Sequence, residues 1–138
     1  MELINILERH FKVDGTHDTM IDHLSVIRAS TVAEPLHSII EPSVCFIVKG
    51  AKIVMLGEEI FHYDSSQYLM TSVHLPISGQ ITEASPDNPY LCIRLGFTTE
   101  QILEVVSNRR EEHSLPPKRA MSVNRTTSAM TDALIRLI

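Results

Sequence analysis

The chain has 138 residues, 43% hydrophobic and 21% charged, which is the composition of one ordinary folded domain rather than of a disordered tail. Twelve Lys and Arg against seventeen Asp and Glu leave a net charge of −5, and the aromatics are three Tyr and four Phe without a Trp. Neither a phosphate backbone nor stacked single-stranded bases are therefore expected as direct partners, and the longest apolar run, Val44 to Val48, excludes a membrane helix. Cys45 and Cys92 are too few for a disulfide framework and the first basic residue is Arg9, so a cytoplasmic location is expected, without an export leader.

In chain order, Leu3, Ile6, Leu7 and Phe11 recur at three- and four-residue spacings and predict a short amphipathic helix over residues 1–12. The stretch 14–22, with Gly15, two Thr and three Asp, predicts a connecting loop. From 23 to 97, short β-rich runs punctuated by Gly, Pro, Asn and Asp predict a sandwich or barrel. Its strands should lie near 23–29, 37–41, 44–49, 52–56, 59–63, 67–74, 78–83 and 90–97. Gly50-Ala51 and Gly57-Glu58 each put Gly at the first central position of a type II′ turn, so both predict antiparallel pairing of their flanking strands. The first turn would set Lys49 against Lys52, a like-charge pair that demands a looser turn or a nearby acid. Asp64-Ser65-Ser66 reads as turn chemistry, and Pro86 with Asn88-Pro89 predicts a loop before the last strand.

After Phe97, Thr98 and Gln101 stand in the relation of a capping box and predict a helix that ends near Asn108, with Ile102, Leu103 and Val106 on one face. Pro116-Pro117 among the basic residues of 109–125 predicts an extended linker. From Thr126 a last helix carries the apolar stripe Met130, Ala133, Leu134, Leu137 and Ile138 to the final residue, the pattern of a helix that continues.

The chemistry-bearing residues are few. No His-x-His occurs, and a turn at Ser65-Ser66 leaves His74 well up the strand from His62. His10, His17, His23, His37 and His113 lack ligand spacing as well, so neither a metal nor any other cofactor is expected. No Gly-x-Ser-x-Gly elbow is present, and Glu58-Glu59 and Glu111-Glu112 are surface neighbours, so no catalytic residue is assigned. Strand 90–97 is more informative: Leu91, Ile93, Leu95 and Phe97 form one face, and Tyr90, Cys92, Arg94 and Gly96 the other. If the mixed face lines a barrel, it offers a phenol, a thiol and a guanidinium to a small polar ligand. If the apolar face points inward, the same residues are surface. His74 and Lys49 are further ligand-binding candidates. Both cysteines read first as inert buried thiols, with Cys92 the better candidate for reactivity because Arg94 is two residues away on its face.

The run Glu41-Pro42-Ser43-Val44-Cys45-Phe46-Ile47-Val48-Lys49-Gly50-Ala51-Lys52 is followed by Leu56-Gly57, Tyr63-Asp64, Tyr68-Leu69, Leu75-Pro76, Ala84-Ser85-Pro86 and Pro89-Tyr90. Together these resemble the N-terminal regulatory domain of AraC-type bacterial transcription regulators, from about Leu24 to Phe97 and more weakly beyond. The resemblance implies a mainly β, cupin-like jelly-roll barrel with a short N-terminal helix and two C-terminal helices. It also implies a small-molecule effector, a homodimer, and DNA contact only through helix-turn-helix units outside this chain. On that view residues 1–108 form the sensor barrel with its flanking helices, and 109–138 form a linker and the start of a dimerisation helix. Met130, Leu134, Leu137 and Ile138 would lie at the dimer interface. The first part has a net charge of −8 and the second +3, which suits an acidic sensor leading toward a DNA-reading half. Two alternatives stand beside this reading. One is a stand-alone metal-free cupin enzyme, with His62 or His74 as acid or base near a pocket; the other is a plain dimerisation module whose barrel has closed.

Overall fold

The computed structural model describes residues 2–98, 100–101 and 121–138, most of them in strands. Helix α1 (Glu2–His10) precedes β1 (Gly15–Asp18), β2 (Leu24–Ala29), β3 (Leu36–Ile40), β4 (Ser43–Lys49) and β5 (Ala51–Leu56). Then come β6 (Glu59–Asp64), β7 (Gln67–Thr71), β8 (Leu75–Glu83), β9 (Tyr90–Gly96), β10 (Met121–Arg125) and helix α2 (Ser128–Leu137). The described strands make a six-stranded sheet in the order β1-β2-β9-β4-β7-β10 and a four-stranded sheet in the order β3-β8-β5-β6. Every ladder is antiparallel. Strands β2 to β9 thus divide into the two four-stranded sheets of a jelly roll, and β1 and β10 extend one of them at either edge.

The two glycine turns behave differently. At Gly57, with φ 58, Leu56 pairs with Glu59 and a two-residue hairpin forms. At Gly50, with φ 97, the chain instead leaves one sheet and enters the other, so β4 and β5 do not pair, contrary to the expected hairpin. Positive φ serves either purpose, and here close packing adds a second demand. A Cβ on Gly50 would lie 2.6 Å from the Glu83 carbonyl oxygen and 3.1 Å from the Tyr90 ring. Lys49 and Lys52 consequently sit on different sheets, and the Lys49 ammonium reaches a Glu8 carboxylate oxygen at 2.8 Å. Ser65-Ser66 is also a crossing between sheets, closed by the Asp64 carboxylate. That carboxylate accepts from the Ser66 amide at 3.0 Å and the Ser66 hydroxyl at 2.8 Å.

Further elements depart from the sequence pattern. β1 occupies part of the expected loop 14–22. It is tied to β2 by its ladder and by Asp14, whose carboxylate accepts from the Ser30 amide and hydroxyl and from the Arg28 guanidinium. β10 lies in the expected linker and pairs along β7, Met121 opposite Thr71 and Val123 opposite Leu69. β7 ends at Thr71, short of the expected 74. The capping box is formed: the Thr98 amide donates to Gln101 Oε1 at 2.9 Å and the Gln101 amide to Thr98 Oγ1 at 3.1 Å. The body of that helix, 102–108, and the linker 109–120 lie outside the described residues.

Two apolar layers result. Outside the six-stranded sheet, Leu3 and Leu7 of α1 and Leu134 of α2 bury Leu24, Val26, Val48, Leu91 and Ile93. Between the sheets, Cys45, Ile47, Leu69, Tyr90, Cys92 and Met121 meet Val54 and Tyr63. The alternation of β9 therefore resolves the open question, with its apolar face under the helices and its mixed face inside the barrel. The α2 stripe divides as well. Leu134 is 4% exposed in the chain's own core, with Ile138 partly buried against it. Met130 is half-buried, and Leu137 is 48% exposed. No helix among the described residues is long and apolar enough to cross a membrane.

Candidate functional site

The barrel interior carries a column of polar groups that the strand registers bring together. On β9, Tyr90, Cys92 and Arg94 share the inward face. Cys45 of β4 stands opposite Arg94 on one side and Leu69 of β7 on the other, while Cys92 stands opposite Ile47. The two cysteines are thus diagonal neighbours on adjacent strands, close enough for their thiols to interact. Lys52 enters from the facing sheet, on β5 between Tyr63 and Ile81. Gly79 on β8 gives it room, since a Cβ there would lie 3.3 Å from Lys52 Cε and 3.7 Å from Nζ. Among the described residues, no carboxylate forms an ion pair with Lys52.

These neighbours separate the two thiols chemically. The neighbouring Cys92 thiol, then the positive charges of Lys52 and Arg94, bring Cys45 down to about 7 against the opposing effect of burial. Cys92, beside Cys45 and itself buried, is pushed well above the usual thiol value. Burial, followed by the proximity of the cysteines, raises both Tyr63 and Tyr90. The Tyr90 and Thr71 hydroxyls are buried without a hydrogen-bond partner among the described residues. Unmet hydroxyls in an interior are the places where a polar ligand or a water gains most. At the other end of the column, the half-exposed Arg94 guanidinium lies 3.9 Å from a Glu41 carboxylate oxygen. It opens onto a cleft of about 470 Å³ that Asp18, Asp22 and His23 also line.

The ligand candidates read from the sequence do not all meet here. Tyr90 and Cys92 are inside and Arg94 is at the mouth. Lys49 is not with them: a bulge between Ile47 and Lys49 turns it toward Glu8 on α1. His74 is exposed in the loop after β7, because that strand ends at Thr71. His62 is also exposed, on β6 with the opposite alternation to buried Tyr63. No cluster of three or more His, Cys, Asp or Glu side chains suited to a metal ion occurs among the described residues. Lys52, Tyr63 and Thr71 belong to the interior and were not singled out for it. The only signal for Lys52 is its alternation with Val54 and Leu56, and Ile53 and Met55 on the other face are equally apolar.

Residues 20–138 match a family model described as the AraC-type transcriptional regulator N-terminus. No curated protein matches the chain. Among solved structures, ToxT from Vibrio cholerae is similar with a TM-score of 0.59 at 10% identity, over 83% of this chain and 46% of that one. An apo ToxT variant from the same organism gives 0.48 at 8% identity over 90% and 49%. An oxalate decarboxylase of Bacillus subtilis gives 0.40 at 13% identity over 88% and 43%. The first of these likenesses shows a shared fold. The chain spans less than half of the ToxT chain it matches.

Proposed function

Because the chain belongs to the family of AraC-type transcriptional regulator N-termini, we propose that it senses a small polar effector inside its barrel and dimerises. In doing so it would control DNA binding by a segment outside this chain, in the cytoplasm and without catalysing a reaction. The observation that carries this reading is the interior column of Tyr90, Cys92, Lys52 and Arg94, with two buried hydroxyls awaiting partners. A guanidinium at the mouth, an ammonium beside the thiols and phenols further in favour a ligand with oxygen acceptors.

A route out of the barrel supports the regulatory part. Met121 and Val123 of β10 pack into the interior cluster, and Thr127 then caps α2 by accepting from the Met130 amide at 3.2 Å. An effector that moves β10 therefore moves the start of α2, which packs on α1 outside the sheet. Leu137, left exposed on α2, is the residue most suited to contact with a second copy.

The test is a melting screen with sugars, small acids, aldehydes and aromatics. A ligand specific to the folded state adds about 2.7 kcal/mol at a hundredfold excess over Kd, which is readily seen. At least one compound should raise Tm, and Arg94→Ala should abolish the rise while leaving the fold intact. A screen without a stabilising compound, or a shift that survives Arg94→Ala, overturns the reading.

A further inference from the structure

We propose that Cys45 is a site of reversible oxidation by a small hydroperoxide, with Cys92 as the thiol that resolves the product into an intramolecular disulfide. This goes beyond effector binding and does not depend on it. Two thiols at diagonal positions on adjacent strands face one buried interior, so a reactive sulfur and its resolving partner are already neighbours. Arg94 lies directly across the ladder from Cys45, and Lys52 adds a second positive charge from the facing sheet. The groups that bear on Cys45 are thus Cys92 and Arg94 of β9, Lys52 of β5 and Ser43 of its own strand, with Tyr63 of β6 and Tyr90 of β9 close by. None of these is a carboxylate, although Arg94 itself lies 3.9 Å from a Glu41 carboxylate oxygen.

This setting stabilises a thiolate, and the thiolate is the form that attacks a peroxide. Cys45 stands directly across the ladder from Arg94 and is 8% exposed, whereas Cys92 is 1% exposed, so Cys45 reacts first. The sequence reads both thiols first as inert, with Cys92 the better candidate for reactivity; the ladder instead sets Cys45 directly opposite Arg94. The Cys45 sulfur attacks one oxygen of ROOH; the O–O bond breaks, RO⁻ leaves and takes up a proton, and the sulfur becomes a sulfenic acid, oxidised by two electrons. Cys92 then gives up its proton and attacks that sulfur, and the hydroxyl leaves as water. The sum is two thiols and ROOH giving a disulfide, ROH and water. The cysteines are diagonal rather than directly opposite, so drawing the sulfurs to about 2.0 Å shifts β9 against β4. The bulge between Ile47 and Lys49 lies beside that contact.

The experiment treats the purified chain with hydrogen peroxide at neutral pH and follows both cysteines by dimedone trapping, alkylation and mass spectrometry. The wild type should lose both thiols to one intrachain disulfide that a reductant reverses. Cys92→Ser should accumulate dimedone-reactive Cys45, and Cys45→Ser should leave Cys92 reduced. Lys52→Met should slow the reaction several-fold and move the alkylation midpoint of Cys45 to higher pH, and Lys52→Arg should restore both. The order of alkylation in the folded wild type provides the same test if a serine variant does not fold. The proposal is overturned if both thiols survive excess peroxide until the protein is unfolded, if Cys92 reacts first, or if the disulfide forms only between chains.

Discussion

The two faces of the six-stranded sheet come from the same strands and serve different ends. On the outer face, under α1 and α2, the buried residues are aliphatic throughout: Leu3, Leu7, Leu24, Val26, Val48, Leu91, Ile93 and Leu134. On the inner face, alternate residues of those strands contribute two thiols, a buried phenol and a guanidinium, and the facing sheet adds a second phenol and an ammonium. Aliphatic burial stabilises by roughly 1.5–3 kcal/mol per large side chain, whereas a buried hydroxyl without a partner works against the fold. The outer layer thus supplies stability that the inner layer partly forgoes, and the inner layer is where binding has something to gain.

The largest expected effect breaks the outer layer alone. Leu7 is fully buried, and Leu7→Ala should destabilise by about 2–5 kcal/mol in denaturant titration. The effector-induced Tm rise should remain, because no interior group is touched. Loss of that response at temperatures where the variant is folded would show that the layers are not separable.

Gly50→Ala comes next, at the point where the chain passes from one sheet to the other beside Tyr90. Strain at φ 97 and the contact with the Glu83 carbonyl should together cost more than Gly57→Ala. At Gly57 a Cβ meets nothing within 4 Å, and only the backbone cost of roughly 1 kcal/mol applies. Equal losses in thermal unfolding would mean that Gly50 can relax, and that the crossing does not fix the Tyr90 end of the interior.

The two faces should also differ in pH dependence. Tyr63 and Tyr90 bind their protons more tightly when folded than when unfolded. Their contribution is therefore complete below the ordinary tyrosine value of about 10 and is lost as pH rises toward the elevated folded values. Leu7→Ala should lower the whole stability curve without altering its alkaline fall, while Tyr90→Phe should make that fall shallower. A wild-type curve that stays flat past pH ~11 would contradict the burial of both phenols.

Tyr90→Phe at neutral pH is the smallest effect on stability. Removing a hydroxyl that has no partner should leave stability within about 1 kcal/mol or raise it slightly, while weakening effector binding. A large loss of stability would place that hydroxyl in a structural hydrogen bond instead.

Much of the barrel was legible in the sequence because alternation and turn residues are local properties. β2 through β9 appear with their ends displaced by a few residues, and the Gly57-Glu58 hairpin and the Thr98/Gln101 capping box formed as read. Sheet membership was not legible, since a glycine at positive φ looks the same in a hairpin and in a crossing, as Gly50 demonstrates. β1 escaped notice because Gly15, Thr16, His17 and Asp18 contain no apolar residue, and β10 because only Met121 and Val123 alternate within it. At the site, β9 displayed its two faces but not which one turned inward, a matter decided by α1 and α2 covering Leu91 and Ile93. Lys52 stayed hidden because both faces of β5 are rich in apolar residues, and the outward turn of Lys49 follows from a bulge that leaves no mark in residue type.

The most direct test of an interior effector site coupled to α2 is methyl NMR of the methionine-labelled chain, titrated with a stabilising compound from the melting screen. Met121 is 1% exposed inside the barrel and Met130 lies on α2, so the two methyls report binding and transmission separately. The sensor reading expects the Met121 signal to shift saturably with the Kd of the thermal response and the Met130 signal to follow with the same midpoint, both changes vanishing in Arg94→Ala. A stabilising compound that leaves Met121 unmoved, or that moves it equally in Arg94→Ala, would contradict it.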